Sequence, residues 1–191
     1  MIKVRKADEI FAKDGGWFHA KWHFSFDDYH DPQNMGFGTM RVFNDDTLVP
    51  GAVWPMHPHR DIEGLTYVPS GTFRHEDNLG NLYTMPAGSV QRMTLGSGAY
   101  HSEQNGSETE PRRFIQVWII PRETGLEPGI ERRETTAEER TNRLLARYRA
   151  GPRERQPPRP PGRGDVRLTA GGRAERQPSV HAGLRRLPAG P

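Results

Sequence analysis

No cysteine occurs among the 191 residues. That excludes disulfides and thiolate metal sites, and it accords with a reducing compartment. No apolar run approaches the roughly 20 residues that a membrane-crossing helix needs. Residues 1–8, Met-Ile-Lys-Val-Arg-Lys-Ala-Asp, lack the apolar core of a secretory leader. The expectation is a cytoplasmic protein with no membrane partner. A basic excess is also missing from most of the chain. The net charge is +3, but residues 151–191 hold nine arginines against three acids, a net +6. Residues 1–150 are therefore left at −3, with no electrostatic footprint for nucleic acid. Residues 151–191 in turn contain no lysine and no aromatic residue, but eight prolines and seven glycines. Such a segment cannot bury enough apolar surface to offset its chain entropy, and it is predicted to be disordered. Without aromatic side chains for base stacking, its arginines do not make a nucleic-acid site.

What the chain does contain is β-strand chemistry. Residues 51–121 read as short strands separated by glycine and proline turns, the pattern of a sandwich or barrel. Earlier strands are predicted at residues 2–5 and 39–44, the second ending in a turn at Asp45-Asp46. Residues 65–68 and 72–75 flank Pro69-Ser70-Gly71 as a predicted hairpin. Residues 114–120 are nearly all apolar, as in a strand buried on both faces. Thr136-Ala137-Glu138-Glu139 is a capping box, and helix formers follow to about Arg149, before Gly151 and Pro152.

Two short motifs within residues 51–103 carry chemistry. They are His57-Pro58-His59 and His101-Ser102-Glu103. Strand residues two apart share a face, so each pair would project together, and two neighbouring strands would bring all four side chains to one point. Three imidazoles and a carboxylate suit one divalent transition metal, and the hard carboxylate shifts the preference towards iron. Four protein ligands in an octahedral field leave the open positions that a catalytic metal needs. Either pair alone is weak evidence. Glu63 would join the same face if the strand ran unbroken, as a ligand or a neighbour of one, or it would pair with Arg60 or Arg92. His23, His75 and Gln116 are candidates to line the pocket and orient the ligands.

The spacing from Gly51 to His57, and the run from Gly80 to Pro86-Ala87-Gly88, resemble the paired motifs of the cupin superfamily. More blocks narrow the resemblance. They include His23-Phe24-Ser25-Phe26-Asp27-Asp28-Tyr29, Met35-Gly36-Phe37-Gly38, Arg41-Val42-Phe43-Asn44-Asp45-Asp46, His57-Pro58-His59-Arg60-Asp61-Ile62-Glu63 and Gln116-Val117-Trp118-Ile119. Over residues 2–145 the chain resembles the pirin family, a branch of the cupins.

The resemblance implies an all-β fold, a cupin-type β-barrel (double-stranded β-helix) over residues 1–125. A linker and one C-terminal helix would follow over 126–150, and the tail over 151–191. It implies iron(II) held by His57, His59, His101 and Glu103. It implies quercetin 2,3-dioxygenase activity, opening a flavonol with O2. The flavonol proton would go to a nearby carboxylate, for which Glu103 is the first candidate and Glu63 the next. The alternative is a non-catalytic iron-binding co-regulator acting on a protein partner, or an inactive truncated relative. Family members normally continue into a second barrel, whereas from Ala146 no strand pattern is seen here. A truncated or frame-shifted coding sequence, with residues 114–120 short of cover, is the expectation. Pro69 also departs from the family pattern and removes a backbone donor there.

Overall fold

The structure, a computed structural model, describes residues 4–143. The tail predicted to be disordered lies outside the described residues. No helix among them is long and apolar enough to cross a membrane. Eleven described strands form two antiparallel sheets. The larger runs in the order β1 (Phe11–Asp14), β2 (Phe18–Trp22), β3 (Met40–Leu48), β10 (Arg112–Ile119), β5 (Glu63–Ser70), β8 (Val90–Thr94), β11 (Gly129–Arg133). The smaller runs β4 (Val53–His59), β9 (Ala99–Asn105), β6 (Phe73–Asp77), β7 (Leu82–Met85). This is the expected cupin-type barrel.

The two sheets meet face to face through alternating inward residues. Trp22, Leu48, Val68, Phe73, Met85 and Phe114 are buried between them, and Phe73 meets Phe114 edge-on at 6.0 Å between ring centroids. Each such side chain stabilises the fold by about 1.5–3 kcal/mol. Polar residues alternate with them. Asn44, Thr66, Gln91 and Gln116 are all buried on the inner face of the larger sheet. They share a row in the register, Asn44 opposite Gln116, Gln116 opposite Thr66 and Thr66 opposite Gln91.

Several local expectations are corrected. The first described strand is Phe11–Asp14; of the strand predicted at 2–5, residues 2 and 3 lie outside the described residues, and Val4 and Arg5 are in no strand but precede a short 3-10 turn at Ala7–Glu9, where the Lys6 N–H donates to the Glu9 carboxylate (2.9 Å). Asp45 and Asp46 do not form a turn. β3 runs through both, one on each face. Asp45 points outward and accepts two hydrogen bonds from Arg113 at 2.7 and 2.6 Å, while Asp46 points inward and is 2% exposed. The Pro69-Ser70-Gly71 segment is a corner and not a hairpin, because β5 and β6 belong to different sheets. Gly71 turns it at φ +79°, where a Cβ would lie 2.7 Å from the Arg112 Cα and the Pro111 oxygen. Pro69 is accommodated by a bulge. Ser70 faces Arg113 and Tyr67 faces Ile115, so Val68 and Pro69 together oppose Phe114, where the ladder needs no proline donor. β10 buries one face, since Phe114 and Gln116 are inside while Ile115, Val117 and Ile119 are half-buried. The capping box forms, with Thr136 Oγ1 accepting from the Glu139 N–H at 3.2 Å. The helix, however, spans only Ala137–Arg140. Thr141 is extended, its hydroxyl donates to the Ala137 carbonyl, and Asn142 follows at φ +55°. The rest of the predicted helix lies outside the described residues.

Candidate metal centre

β4 and β9 are hydrogen-bonded neighbours, and their register brings the two motifs together. His57 stands opposite His101, and Trp54 opposite Glu103. Between these pairs β4 has a bulge, with Pro55 and Met56 together opposing Ser102. In an unbroken strand Trp54 and His57, three apart, would face opposite ways. The bulge turns both inward and leaves Pro55 and Met56 exposed.

The three imidazoles converge. Ring centroids are 4.7 Å apart for His57 and His59, 4.6 Å for His57 and His101, and 5.2 Å for His59 and His101. One ring nitrogen from each lies within 4.8 Å of the others. His57 Nδ1 donates to the Pro55 carbonyl at 2.7 Å, which leaves Nε2 bare. His59 Nε2 and both ring nitrogens of His101 are buried and meet no hydrogen-bond partner among the described residues. Burial first, and the neighbouring His101 and His57 second, draw His59 down to about 4. Burial, then His57 and His75, draw His101 down to about 3. Both rings are therefore neutral at pH 7, the state a metal ligand needs. The buried, unpartnered nitrogens of His59 and His101, together with the converging His57 ring, fit a divalent cation.

Glu103 shares the wall of the same cavity but stands outside the set of atoms within 4.8 Å. It is 3% exposed, and both its oxygens accept from the Gln116 amide across the barrel, at 3.0 and 3.2 Å. Gln116 is thus hydrogen-bonded to one of the candidate ligands. His75 is buried beside His101 and bonded to Asp77. His23 does not line the cavity and packs on Phe43. Glu63 is corrected outright. Asp61 at φ +52° ends the run of β4, and Glu63 starts β5 in the other sheet, where it accepts from the Thr94 hydroxyl at 3.0 Å. Its expected arginine partners go elsewhere, Arg60 to Asp61 and Arg92 to Glu131.

Two titratable groups near the site were not expected. Asp46 lines the cavity, and burial first, with the Glu103 charge behind it, pushes its carboxyl up to about 8. Arg112 is wholly buried, its guanidinium 4.3 Å from the ring centroids of both Phe73 and Phe114. Burial draws it down to about 10, against the pull of Glu103 and Asp46. The inward period-2 series Val42, Asn44, Asp46, Leu48 is the sequence signal that could have found Asp46.

Two facing antiparallel sheets with a histidine cluster between them define a cupin-type barrel with a candidate metal centre. The family model described as Pirin matches residues 4–119, and the chain belongs to the pirin family. It is 46% identical over 138 residues to the quercetin 2,3-dioxygenase of Escherichia coli (strain K12), covering 72% of this chain and 59% of that one. It is 47% identical over 129 residues to a pirin-like protein of Caulobacter vibrioides, covering 68% and 55%. The crystal structure of the bacterial pirin YhhW from Escherichia coli, in complex with nickel(II), superposes with a TM-score of 0.69 at 45% identity, covering 71% and 59%. The chain thus spans less than two thirds of the length of these relatives.

Proposed function

We propose that the chain is a metal-dependent dioxygenase of the quercetinase type, in which His57, His59, His101 and Glu103 hold one divalent metal, iron(II) by preference. The observation that carries this reading is the convergence of three imidazole nitrogens, those of His59 and His101 buried, beside a buried carboxylate. The names of the relatives support the substrates, a flavonol and O2, and the nickel(II) in the solved pirin supports a divalent ion. A bound metal supplies a Lewis-acidic centre with open positions.

The remaining chemistry falls to the side chains. The Pro55 carbonyl holds the His57 ring with its free nitrogen turned inward. The Gln116 amide holds the Glu103 carboxylate in place, and that carboxylate would be a metal ligand or the base that takes the flavonol proton. Phe26, Trp54, Phe114 and Trp118 give the cavity an aromatic lining. The cavity is about 80 Å³, room for two or three waters at about 30 Å³ each. The half-buried Trp54 and Trp118 stand on the wall of this cavity.

The test is anaerobic loading with iron(II), metal analysis of the protein, and oxygen uptake with quercetin. One metal per chain and quercetin-dependent uptake are expected. Bound iron with no uptake for any flavonol would leave an iron-binding protein and sink the oxygenase reading. No bound metal would sink both.

A further inference from the structure

The cavity at the histidine cluster is about 80 Å³. Pockets that enclose multi-ring ligands run to roughly 300–1,000 Å³. A three-ring flavonol therefore fits only if one wall yields. Phe26, Trp54 and Phe114 are backed by other rings that do not reach the cavity. Trp54 packs on Trp17 and Phe18, with ring centroids 5.0 and 5.2 Å away. Phe26 packs on the wholly buried Trp22 at 5.1 Å. Phe114 packs on Phe73 at 6.0 Å and on the Arg112 guanidinium at 4.3 Å.

Trp118 differs. Its ring meets His59 at 4.5 Å and Phe26 at 5.5 Å, both of them cavity residues. On the neighbouring strand Gly64 stands directly opposite Trp118, and Met93 stands opposite Gly64. Residues paired across a ladder share a face, so an inward position with no side chain lies beside the indole. Nothing in the backbone asks for that glycine. Its φ is not positive, and within 4 Å a Cβ there would meet only Leu95 Cδ1 at 3.9 Å and the Met93 oxygen at 4.0 Å. Glycine inside a strand weakens it and often marks the close approach of a ligand or of another backbone. Here no backbone fills the space. An open notch therefore lies between Trp118 and Met93, with Leu95 at its side.

We propose that Trp118 determines the size of ligand the site takes, and that its indole moves into the notch over Gly64 when a multi-ring ligand enters. The inference rests on the reading of the cavity as a flavonol site. Single-ring diols use the cavity as it stands. Flavonols need Trp118 displaced, and the missing side chain at Gly64 gives the indole somewhere to go.

The experiment is a double-mutant cycle on Gly64→Val and Trp118→Ala. Equilibrium dialysis against catechol and against quercetin reads it, on nickel(II)-loaded and on metal-free protein. Gly64→Val fills the notch. It should leave nickel(II) and catechol binding at the parental level. It should weaken quercetin binding about 10–200-fold, the scale on which an apolar pocket separates ligands that differ by a methylene. In Trp118→Ala no indole needs the notch, so adding Gly64→Val should cost quercetin little. Gly64→Ala leaves part of the notch open and should lose less, and it replaces Gly64→Val in the cycle should that variant not fold. Parental quercetin affinity in folded Gly64→Val, an equal loss for catechol, or the same quercetin loss in both Trp118 backgrounds would each overturn the proposal. So would a parent that binds catechol but not quercetin, since Trp118 would then be a fixed wall, or a parent that binds neither. The expected coupling without any oxygen uptake would uphold the roles of Trp118 and Gly64 while sinking the oxygenase reading.

Discussion

Asp46→Asn should stabilise the metal-free protein at neutral pH, and the gain should grow with pH. Burial, then the charge on Glu103, push the folded-state carboxyl from 3.8 to about 8. The unfolded chain restores the ordinary value. Between those two values the unfolded chain has lost a proton that the folded chain keeps, so raising the pH favours unfolding. Each pH unit in that window is worth about 1.4 kcal/mol. At pH 7 the parent has therefore lost about 4 kcal/mol relative to its acid limit. Asparagine matches the volume and has no proton to lose. The difference between variant and parent should start small near pH 4, climb about 1.4 kcal/mol per unit, and level off near pH 8. His59 and His101 act in the opposite sense. Their folded values, about 4 and about 3, lie below the ordinary 6.5, so the stability they contribute is lost as pH falls from 6.5 through those values. Both histidines are present in both proteins and cancel in the difference. Urea unfolding with a chelator present, at unit steps from pH 4 to 8, reads this directly. A variant-minus-parent stability that is flat across those steps would refute the buried, proton-holding Asp46.

His57→Ala, His59→Ala and His101→Ala should each lose most bound metal in equilibrium dialysis against nickel(II), because each removes one of three converging nitrogens. Parental occupancy in any one of them would remove that residue from the site. Glu103→Gln keeps a weak oxygen ligand but no charge. At metal saturation its quercetin turnover should drop about 10²–10⁴-fold, and turnover at the parental rate would show that Glu103 is not the base. Gly96→Ala should destabilise the fold by more than about 1 kcal/mol, since Gly96 sits at φ +36° and a Cβ would lie 1.8 Å from the Leu126 carbonyl oxygen. A urea midpoint equal to the parent's would contradict that close approach.

What local pattern alone determined is the set of chemical actors. Residues two apart on a strand share a face whatever the rest of the chain does, so His57 with His59 and His101 with Glu103 were legible as pairs. The capping box at Thr136 was legible for the same reason, since its bonds close within three residues. Partnership was not legible, because it depends on residues far apart in the chain. Asp45-Asp46 has turn composition, and only Arg113 of β10 on one side and the barrel interior on the other make it a strand. Pro69-Ser70-Gly71 turns the chain in either reading, and sheet membership decides that the turn is a corner. The bulge at Pro55-Met56 leaves no trace in composition, yet it aligns His57 with His101 and Trp54 with Glu103 on one wall. The depressed values of His59 and His101 and the raised one of Asp46 likewise come from burial. Burial is a property of the closed barrel, and no single strand possesses it.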